Sequence, residues 1–341
     1  MHSWLIADGE ATTNYRLLRR LHHWRPHMII DIFNHIEPLK YAEATGRMRN
    51  VNPFILDVER RLRIMDRFDN YMQVLTVGGF HSYTHGDNAS ELARITNDAI
   101  AELVIKYPEW FCTGVASLPL KDMDASLKET DRAIQQLKLR GIELWAHRDW
   151  EPLDSPYYFP LYEKMSQYNL PIWIHPMRKP DPDYSCEKES KYQIWKIFGW
   201  PYDTTVAMAR MVFSGVLEKF PNLKLITHHC GAMVPYFASR IVCLKNQIDE
   251  YNENLTRPIL EYFRMFYADT ALEGGKAALN CAYDFFGAGH ILFGTDMPQD
   301  ARLGITSIGN AIEAIQAMNI PPEDKRKIFE DNARDLLRLP V

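Results

Sequence analysis

Three residues of types that bind metal ions stand at the ends of short apolar runs in this sequence. They are His35, His175 and Asp296, and they are far apart along the chain. Imidazole nitrogen and carboxylate oxygen are suitable ligands for zinc, and also for manganese or iron. A catalytic metal needs about three protein ligands and one open position. The three residues therefore predict a divalent metal site, provided that the fold brings them together.

Other strand ends carry residues of the same types, namely His147, His228, His229 and Asp269. A single histidine at a strand end is more often structural than a ligand, and this is the default interpretation of His147 and His228. Since neighbouring strand residues point to opposite sides, only one of His228 and His229 is expected to face a cavity. Asp269 is interpreted as a turn or supporting residue. The convergence of several independent strand ends nevertheless favours a metal site over packing alone.

Eight apolar runs, several of them rich in β-branched residues, predict the strands that must position these side chains. They cover residues 28–33, 72–78, 113–119, 141–147, 171–175, 223–229, 265–270 and 290–296. Apolar residues recur at helical spacing over residues 56–68, 89–107, 126–137, 159–168, 204–220, 234–248, 305–318 and 322–337. Strands that alternate with helices are typical of an α/β fold with a parallel sheet.

We therefore predict a (β/α)₈ TIM barrel over residues 28–341, with an N-terminal extension at 1–27 and a closing C-terminal helix. In such a barrel the carboxyl ends of all strands meet at one face, where active sites lie. A doubly wound open sheet is the structural alternative. The absence of GxGxxG after the first run weakens a dinucleotide-binding version of it.

Composition excludes several classes of partner. The formal net charge is −5 and no basic stretch stands out, which argues against nucleic acid as a partner. No apolar run approaches the length of a membrane span, and no secretory signal is recognised. The cysteines are odd in number, widely spaced and without a CxxC pair: Cys112, Cys186, Cys230, Cys243 and Cys281. Reduced thiols in a cytoplasmic protein are the expected state.

Several segments resemble the amidohydrolase-related (amidohydrolase 2) decarboxylases, the group that contains aminocarboxymuconate semialdehyde decarboxylase and gamma-resorcylate decarboxylase. The resemblance runs from about residue 28 to the C-terminus. The segments that carry it are IDIFNHIEP (30–38), LPIWIHPM (170–177), IWKIFGWPYDTTVAMARMVFSGV (194–216), FSGVLEKFPNLKLITHHCGAMVPYFASRI (213–241) and ILFGTDMPQ (291–299).

The resemblance implies roles for individual residues. His175 matches the family's metal ligand on strand five, and Asp296 matches the ligand on strand eight. His229 matches the strand-six histidine that assists proton transfer beside the metal-bound water. The family's first motif is His-x-His or Glu-x-His, but Phe33 stands here at its first position and only His35 remains. Zn²⁺ is the favoured metal, with Mn²⁺ as the alternative.

The implied reaction is a non-oxidative decarboxylation of a hydroxybenzoate-like acid. Asp296 or His229 would deliver a proton to the carbon that bears the carboxylate, so that carbon dioxide leaves and conjugation returns. Candidate residues for binding this small carboxylic acid are Arg178, Phe33, Trp195, Trp200, His228 and His81. A homo-oligomer, either a dimer or a tetramer, is also expected.

Two other functions remain open. Related barrels open lactones or amides with a metal-bound hydroxide, because a metal lowers the pKa of its water. Alternatively, the barrel is catalytically silent and serves in binding. Phenylalanine cannot bind a metal, so Phe33 is the residue that keeps this last interpretation open.

Overall fold

A computed structural model describes residues 28–46, 53–77, 88–148, 151–244 and 255–339. The predicted N-terminal extension at 1–27 and the candidate residue His81 lie outside the described residues. The extension and its boundary therefore stay predictions.

The described chain forms ten short strands, eight of them paired in parallel and two in an antiparallel hairpin. They are β1 (Ile29–Asp31), β2 (Tyr71–Leu75), β3 (Phe111–Gly114), β4 (Ile142–Trp145), β5 (His147–Arg148), β6 (Glu151–Pro152), β7 (Ile172–His175), β8 (Leu225–Thr227), β9 (Tyr267–Asp269) and β10 (Ile291–Leu292). Each of the eight predicted runs contains or overlaps one parallel strand. β5 and β6 form the hairpin, so β7 is the fifth predicted strand.

Main-chain pairing closes the parallel strands into a barrel. β1, β2 and β3 pair in that order, and β4, β7, β8, β9 and β10 form a second parallel set. A parallel bridge between Ala116 and Ile142 joins β3 to β4. A second bridge, between Asn34 and Met297, joins the segments that follow β1 and β10. The predicted (β/α)₈ barrel is confirmed.

The strands form where the sequence offers residues that can be buried on both faces. Every residue of β1, β4, β7 and β8 is buried. Parallel strands covered on one side by helices and on the other by the barrel interior require this pattern. The polar residues that interrupt it, among them Asp31 and Glu143, therefore lie inside the protein and need specific partners or a neutral state.

Helices in the described chain lie between the strands. They are α1 (Leu39–Ala44), α2 (Pro53–Leu56), α3 (Val58–Met65), α4 (Ala89–Lys106), α5 (Met123–Gln135), α6 (Phe159–Tyr168), α7 (Ile194–Ile197), α8 (Gly199–Phe213), α9 (Val216–Lys219), α10 (Ala238–Leu244), α11 (Ile259–Phe263), α12 (Lys276–Phe286), α13 (Ile305–Gln316), α14 (Pro322–Arg326) and α15 (Asn332–Leu337). A π-helical turn over Lys327–Asp331 connects α14 to α15, and together they form the predicted closing helix.

Several helices differ from the prediction. The helix predicted over 234–248 begins only at Ala238, and residues 245–248 lie outside the described chain. No helix was predicted at α1, α7, α11 or α12. The helix predicted over 204–220 is divided into α8 and α9, because Gly215 adopts a φ of +82°, in the left-handed region. α12 was missed, although its buried residues Leu279, Ala282 and Phe286 recur at helical spacing. It begins after two glycines with no capping side chain, so the usual start signal is absent.

One buried cation holds the segment that follows β1. The Arg61 guanidinium, on α3, donates to Asn34 Oδ1 at 2.9 Å and to Gln73 Oε1 at 2.7 Å. It also donates to the main-chain carbonyl of His35. Burial lowers the pKa of Arg61 to about 10, which still leaves the side chain charged at neutral pH. Arg61 therefore supplies hydrogen bonds to two buried side-chain amide oxygens and to one main-chain carbonyl oxygen.

We predict that Arg61→Met lowers the free energy of unfolding by about 3 kcal/mol, because hydrogen bonds to charged groups contribute about 1.5–3 kcal/mol each and their acceptors would remain buried. Urea denaturation followed by circular dichroism measures this. The matched control is Arg63→Met on the exposed side of the same helix, expected to change the value by less than about 0.5 kcal/mol. Equal stability of the two variants would contradict the assigned role.

Candidate active site

The three predicted metal ligands lie together at the carboxyl end of the barrel. His35 follows β1, His175 ends β7, and Asp296 follows β10. His35 Nε2 is 2.7 Å from Asp296 Oδ1, and the rings of His35 and His175 have centroids 5.3 Å apart. Both histidines are buried. Because parallel strands of a barrel end at the same face, residues more than a hundred positions apart in sequence meet there.

Phe33 lies in the centre of this cluster. Its ring stacks on that of His228, with centroids 3.5 Å apart and an interplanar angle of 14°. The same ring meets His35 edge-on at 4.8 Å and lies 5.8 Å from the ring of His175. Phe33 is 1% exposed. The side chain at this position therefore points into the site and adds an apolar surface to it.

His228 and His229 do not follow the alternation expected of a strand. β8 ends at Thr227, and His229 has a φ of +59°, so the chain has already left the extended conformation. As a result both rings lie near Phe33, that of His229 at 6.1 Å. The expectation that only one of the pair faces the cavity is not met, because alternation holds only while the strand continues.

Asp269, the last residue of β9, holds both histidines. One carboxylate oxygen lies 2.6 Å from His228 Nδ1, and the other accepts from the His229 main-chain N–H at 2.8 Å. The second oxygen also accepts from the Ala271 N–H at 3.0 Å. Burial raises the pKa of Asp269 to about 7, and these donors limit the rise. Asp269 is therefore a supporting residue of the site.

The hydrogen bonds of His175 fix which of its nitrogens carries the proton. His175 Nδ1 lies 2.7 Å from the carbonyl oxygen of Pro176. A carbonyl can only accept, so Nδ1 is protonated and Nε2 of the neutral ring carries a lone pair. Burial holds the pKa of His175 well below its usual range. The ring is therefore neutral, as a metal ligand must be.

Asp296 is the carboxylate that the site keeps ionised. Burial raises its pKa, but the hydrogen bond and charge of His35, together with His229 and His175, bring the pKa below the ordinary value. The residue has a φ of +59°, so its side chain leaves the chain at an angle that a continuing strand would not give. A charged carboxylate among imidazoles is suited to a cation.

Asp31 lies deeper in the barrel and takes no part in the cluster itself. Its carboxylate accepts hydrogen bonds from Tyr71, from Thr295 Oγ1 at 2.6 Å and from the Phe33 N–H at 3.0 Å. Burial raises its pKa to about 6. Asp31 thus ties β1 to β2 and to the chain after β10 beneath the site.

Aromatic side chains lie on one side of the cluster. The rings of Trp145 and Trp200 have centroids 5.5 and 6.1 Å from that of His175. Trp195 lies one ring further out, 5.6 Å from Trp200. Arg178 is exposed at the rim, with its guanidinium carbon 5.5 Å from the centre of the Tyr202 ring. Of the predicted substrate-binding residues, Phe33, His228 and Trp200 lie at the cluster, whereas Trp195 and Arg178 lie outside it.

His147 lies beside the mouth, where its Nε2 is 2.7 Å from the carbonyl oxygen of Met177 and 3.9 Å from Asp203 Oδ2. Asp203 also accepts from the Met177 N–H at 2.8 Å. These bonds hold the segment that follows β7, in line with the structural interpretation of His147.

The donors are gathered but are not spaced as an assembled metal site. Among the described residues, no group of three or more His, Cys, Asp or Glu side chains is arranged to hold a metal ion. Two donors of one tetrahedral zinc are about 3.4 Å apart, so the contact between His35 and Asp296 would have to lengthen. Two observations fit a cation nonetheless: the donor chemistry, and the buried Nδ1 of His35 and Nε2 of His228, which have no hydrogen-bond partner.

Glu143 is a buried acid that the sequence prediction missed. It stands in the middle of β4 and is 2% exposed. Burial raises its pKa to about 7, and the nearby charge of His35 opposes the rise. The signal available in the sequence was a single carboxylate inside the apolar run GIELWAH (141–147).

We predict a pH-dependent effect of Glu143→Gln in metal-free protein. The folded-state pKa of about 7 lies above the ordinary value of 4.5, so folding disfavours the charged form. The neutral Glu143 side chain is not penalised by burial below about pH 4.5, and stability is lost as the pH rises through 7 and the buried side chain ionises. The variant should therefore gain stability relative to the parent between about pH 5 and pH 8. Urea denaturation across this range tests it, with exposed Glu109→Gln as control; a constant difference would contradict the burial effect.

Comparison with known proteins places this geometry in a family. The amidohydrolase family model matches residues 30–339. The 2-amino-3-carboxymuconate-6-semialdehyde decarboxylase of Dictyostelium discoideum is 28% identical over 303 residues, covering 85% of this chain and 79% of that protein. A gamma-resorcylate decarboxylase of a Polaromonas species is 28% identical over 296 residues, covering 84% and 89%.

A solved structure is similar over nearly the whole chain. It is a dihydroxybenzoic acid decarboxylase from Polaromonas with bound manganese and the inhibitor 2-nitroresorcinol. It has a TM-score of 0.77 at 25% identity and covers 91% of this chain and 97% of its own. The family model matches almost the whole of this barrel, which carries His175 and Asp296 at its strand ends. The resemblance predicted from the motifs is thus confirmed, and the chain belongs to the amidohydrolase family.

Proposed function

We propose that this protein is a metal-dependent, non-oxidative decarboxylase, that is a carboxy-lyase, of a small hydroxybenzoate-like acid. The observation that carries the proposal is the meeting of His35, His175 and Asp296 at the barrel mouth beside His229. The relatives named above are decarboxylases, two of them acting on aromatic acids according to their names.

His35, His175 and Asp296 are the residues that would hold the metal. Zn²⁺ suits their nitrogen and oxygen donors, and Mn²⁺ is the alternative, since manganese is bound in the Polaromonas structure. When bound, the metal would supply positive charge for the carboxylate and the adjacent hydroxyl of the substrate.

The chain's own residues divide the proton chemistry between them. Asp296 is held ionised by His35 and is therefore better suited to accept a proton than to give one. His229 is only half-buried, and its Nδ1 has no hydrogen-bond partner. We assign to His229 the delivery of a proton to the ring carbon that bears the carboxylate. The bond from that carbon to the carboxylate then breaks, carbon dioxide leaves, and the electron pair restores the ring.

Aromatic rings would orient the substrate. Trp200 and Phe33 border the cluster and offer faces for stacking. Arg178 at the rim is the candidate for a second negative group on the substrate. Trp195 supports Trp200 by edge-to-face contact. His81 stays a sequence-based prediction.

No helix in the described part of the chain is long and apolar enough to cross a membrane. All five cysteines are free thiols, which supports the proposal of a cytoplasmic protein.

A homo-oligomer is also proposed. Apolar side chains exposed on and just before α10, among them Tyr236, Phe237 and Val242, offer a surface for it.

We predict carbon dioxide release from 2,6-dihydroxybenzoate or 6-methylsalicylate by the zinc- or manganese-loaded protein, and none from benzoate, which lacks the adjacent hydroxyl. Asp296→Asn and His175→Ala should each lower kcat by about a thousandfold or more. Asp181→Asn in an exposed loop is the control and should keep full turnover. Gas release and product chromatography measure the outcome. Lactone opening without carbon dioxide would instead favour a hydrolase.

A further inference from the structure

His228 is a buried histidine of the site whose hydrogen bonding is of the kind that metal-ligating histidines show. Its side chain is fully buried, and its Nδ1 lies 2.6 Å from Asp269 Oδ2. The other carboxylate oxygen accepts two main-chain N–H bonds, from His229 and Ala271. With the Asp269 carboxylate ionised, Oδ2 accepts the hydrogen bond from His228, and Nδ1 is then the protonated nitrogen.

The second nitrogen of His228 is left without a partner. Nε2 is buried and forms no hydrogen bond with the protein. In the neutral ring it carries a lone pair, so a donor or a cation has to satisfy it or the burial costs free energy. At His175, too, Nδ1 lies against a carbonyl oxygen, which leaves the lone pair on Nε2 for a metal. Ligating histidines commonly bind a carboxylate or carbonyl through the nitrogen that does not bind the metal.

The neighbourhood of His228 holds its ring in one orientation. The Phe33 ring covers one face of the imidazole, with ring centroids 3.5 Å apart. Rotation of the imidazole about its Cβ–Cγ bond would therefore bring it against the buried Phe33 ring. The rings of His228 and His175 have centroids 5.8 Å apart, close to the 5.3 Å between His175 and His35. The rings of His35, His175 and His228 thus lie together near Asp296, and the Phe33 ring borders all three.

We propose that His228 Nε2 is a ligand of the divalent metal, with Asp269 as the residue that orients it. The inference rests on the proposed metal dependence. It assigns His228 to the cation together with His35, His175 and Asp296, and leaves the proton to His229. Four protein ligands leave an open position in a five- or six-coordinate site, which zinc and manganese both accept.

Metal affinity of the full chain tests the proposal. Protein freed of metal with a chelator is titrated with Zn²⁺ and Mn²⁺ in competition with a chromophoric chelator. His228→Gln should weaken binding by about a hundredfold or more, and Asp269→Asn by about 10- to 100-fold, as for residues that orient a ligand. His229→Gln, one position along the chain, is the matched control and should keep the parent affinity. Unchanged affinity in His228→Gln, combined with a raised KM, would overturn the proposal and make His228 a substrate contact.

A measurement on the unaltered protein guards against variants that do not fold. X-ray absorption at the zinc edge counts imidazole ligands, and three are expected. Two imidazoles would overturn the assignment of His228 while leaving the proposed decarboxylase intact. A parent protein that binds neither Zn²⁺ nor Mn²⁺ and releases no carbon dioxide would overturn the proposed function itself.

Discussion

The site depends on the main-chain closure of the barrel between its first and last strands. The carbonyl of Phe33 accepts hydrogen bonds from the N–H groups of Thr295 and Asp296, and the N–H of His35 donates to the Met297 carbonyl at 2.6 Å. These bonds fix the chain after β1 against the chain after β10. Because of them, His35 and Asp296 face each other at hydrogen-bond distance, although 260 residues separate them in sequence.

Burial separates the acids of the barrel into two kinds. Asp31, Glu143 and Asp269 have pKa values raised by burial to about 6, 7 and 7. Asp296 is buried among histidines and is the one of the four whose pKa lies below the ordinary value, because His35, His229 and His175 stabilise its charge. The imidazoles at the carboxyl end of the barrel therefore stabilise the negative charge of Asp296, whereas burial outweighs such stabilisation at the other acids and raises their pKa. That arrangement suits a cation, and the positive charge of a bound cation would in turn attract the carboxylate of an acidic substrate.

Phe33, at the position where the resembled family has a metal ligand, takes part in the packing of the site. The ring is stacked on His228 and contacts His35, so it acts as the surface against which the imidazoles are arranged. An apolar ring cannot offer electrons to a metal, but it restricts how neighbouring rings turn. Asp269 restricts His228 from the other side through its carboxylate. Rigidity of this kind keeps donor atoms in place before a ligand arrives.

The sequence by itself determined the barrel, because eight apolar runs separated by amphipathic stretches have few other ways to be buried. It also determined that His175 and Asp296 share a face, since all parallel strands end there. Only the tertiary structure decided the rest. It turned Phe33 into the cluster, brought both His228 and His229 inward where β8 stops, and placed Glu143 within reach of the charge on His35. These features depend on where each strand ends and how neighbouring side chains pack, and a pattern of residue types along one strand does not contain the distances between strands.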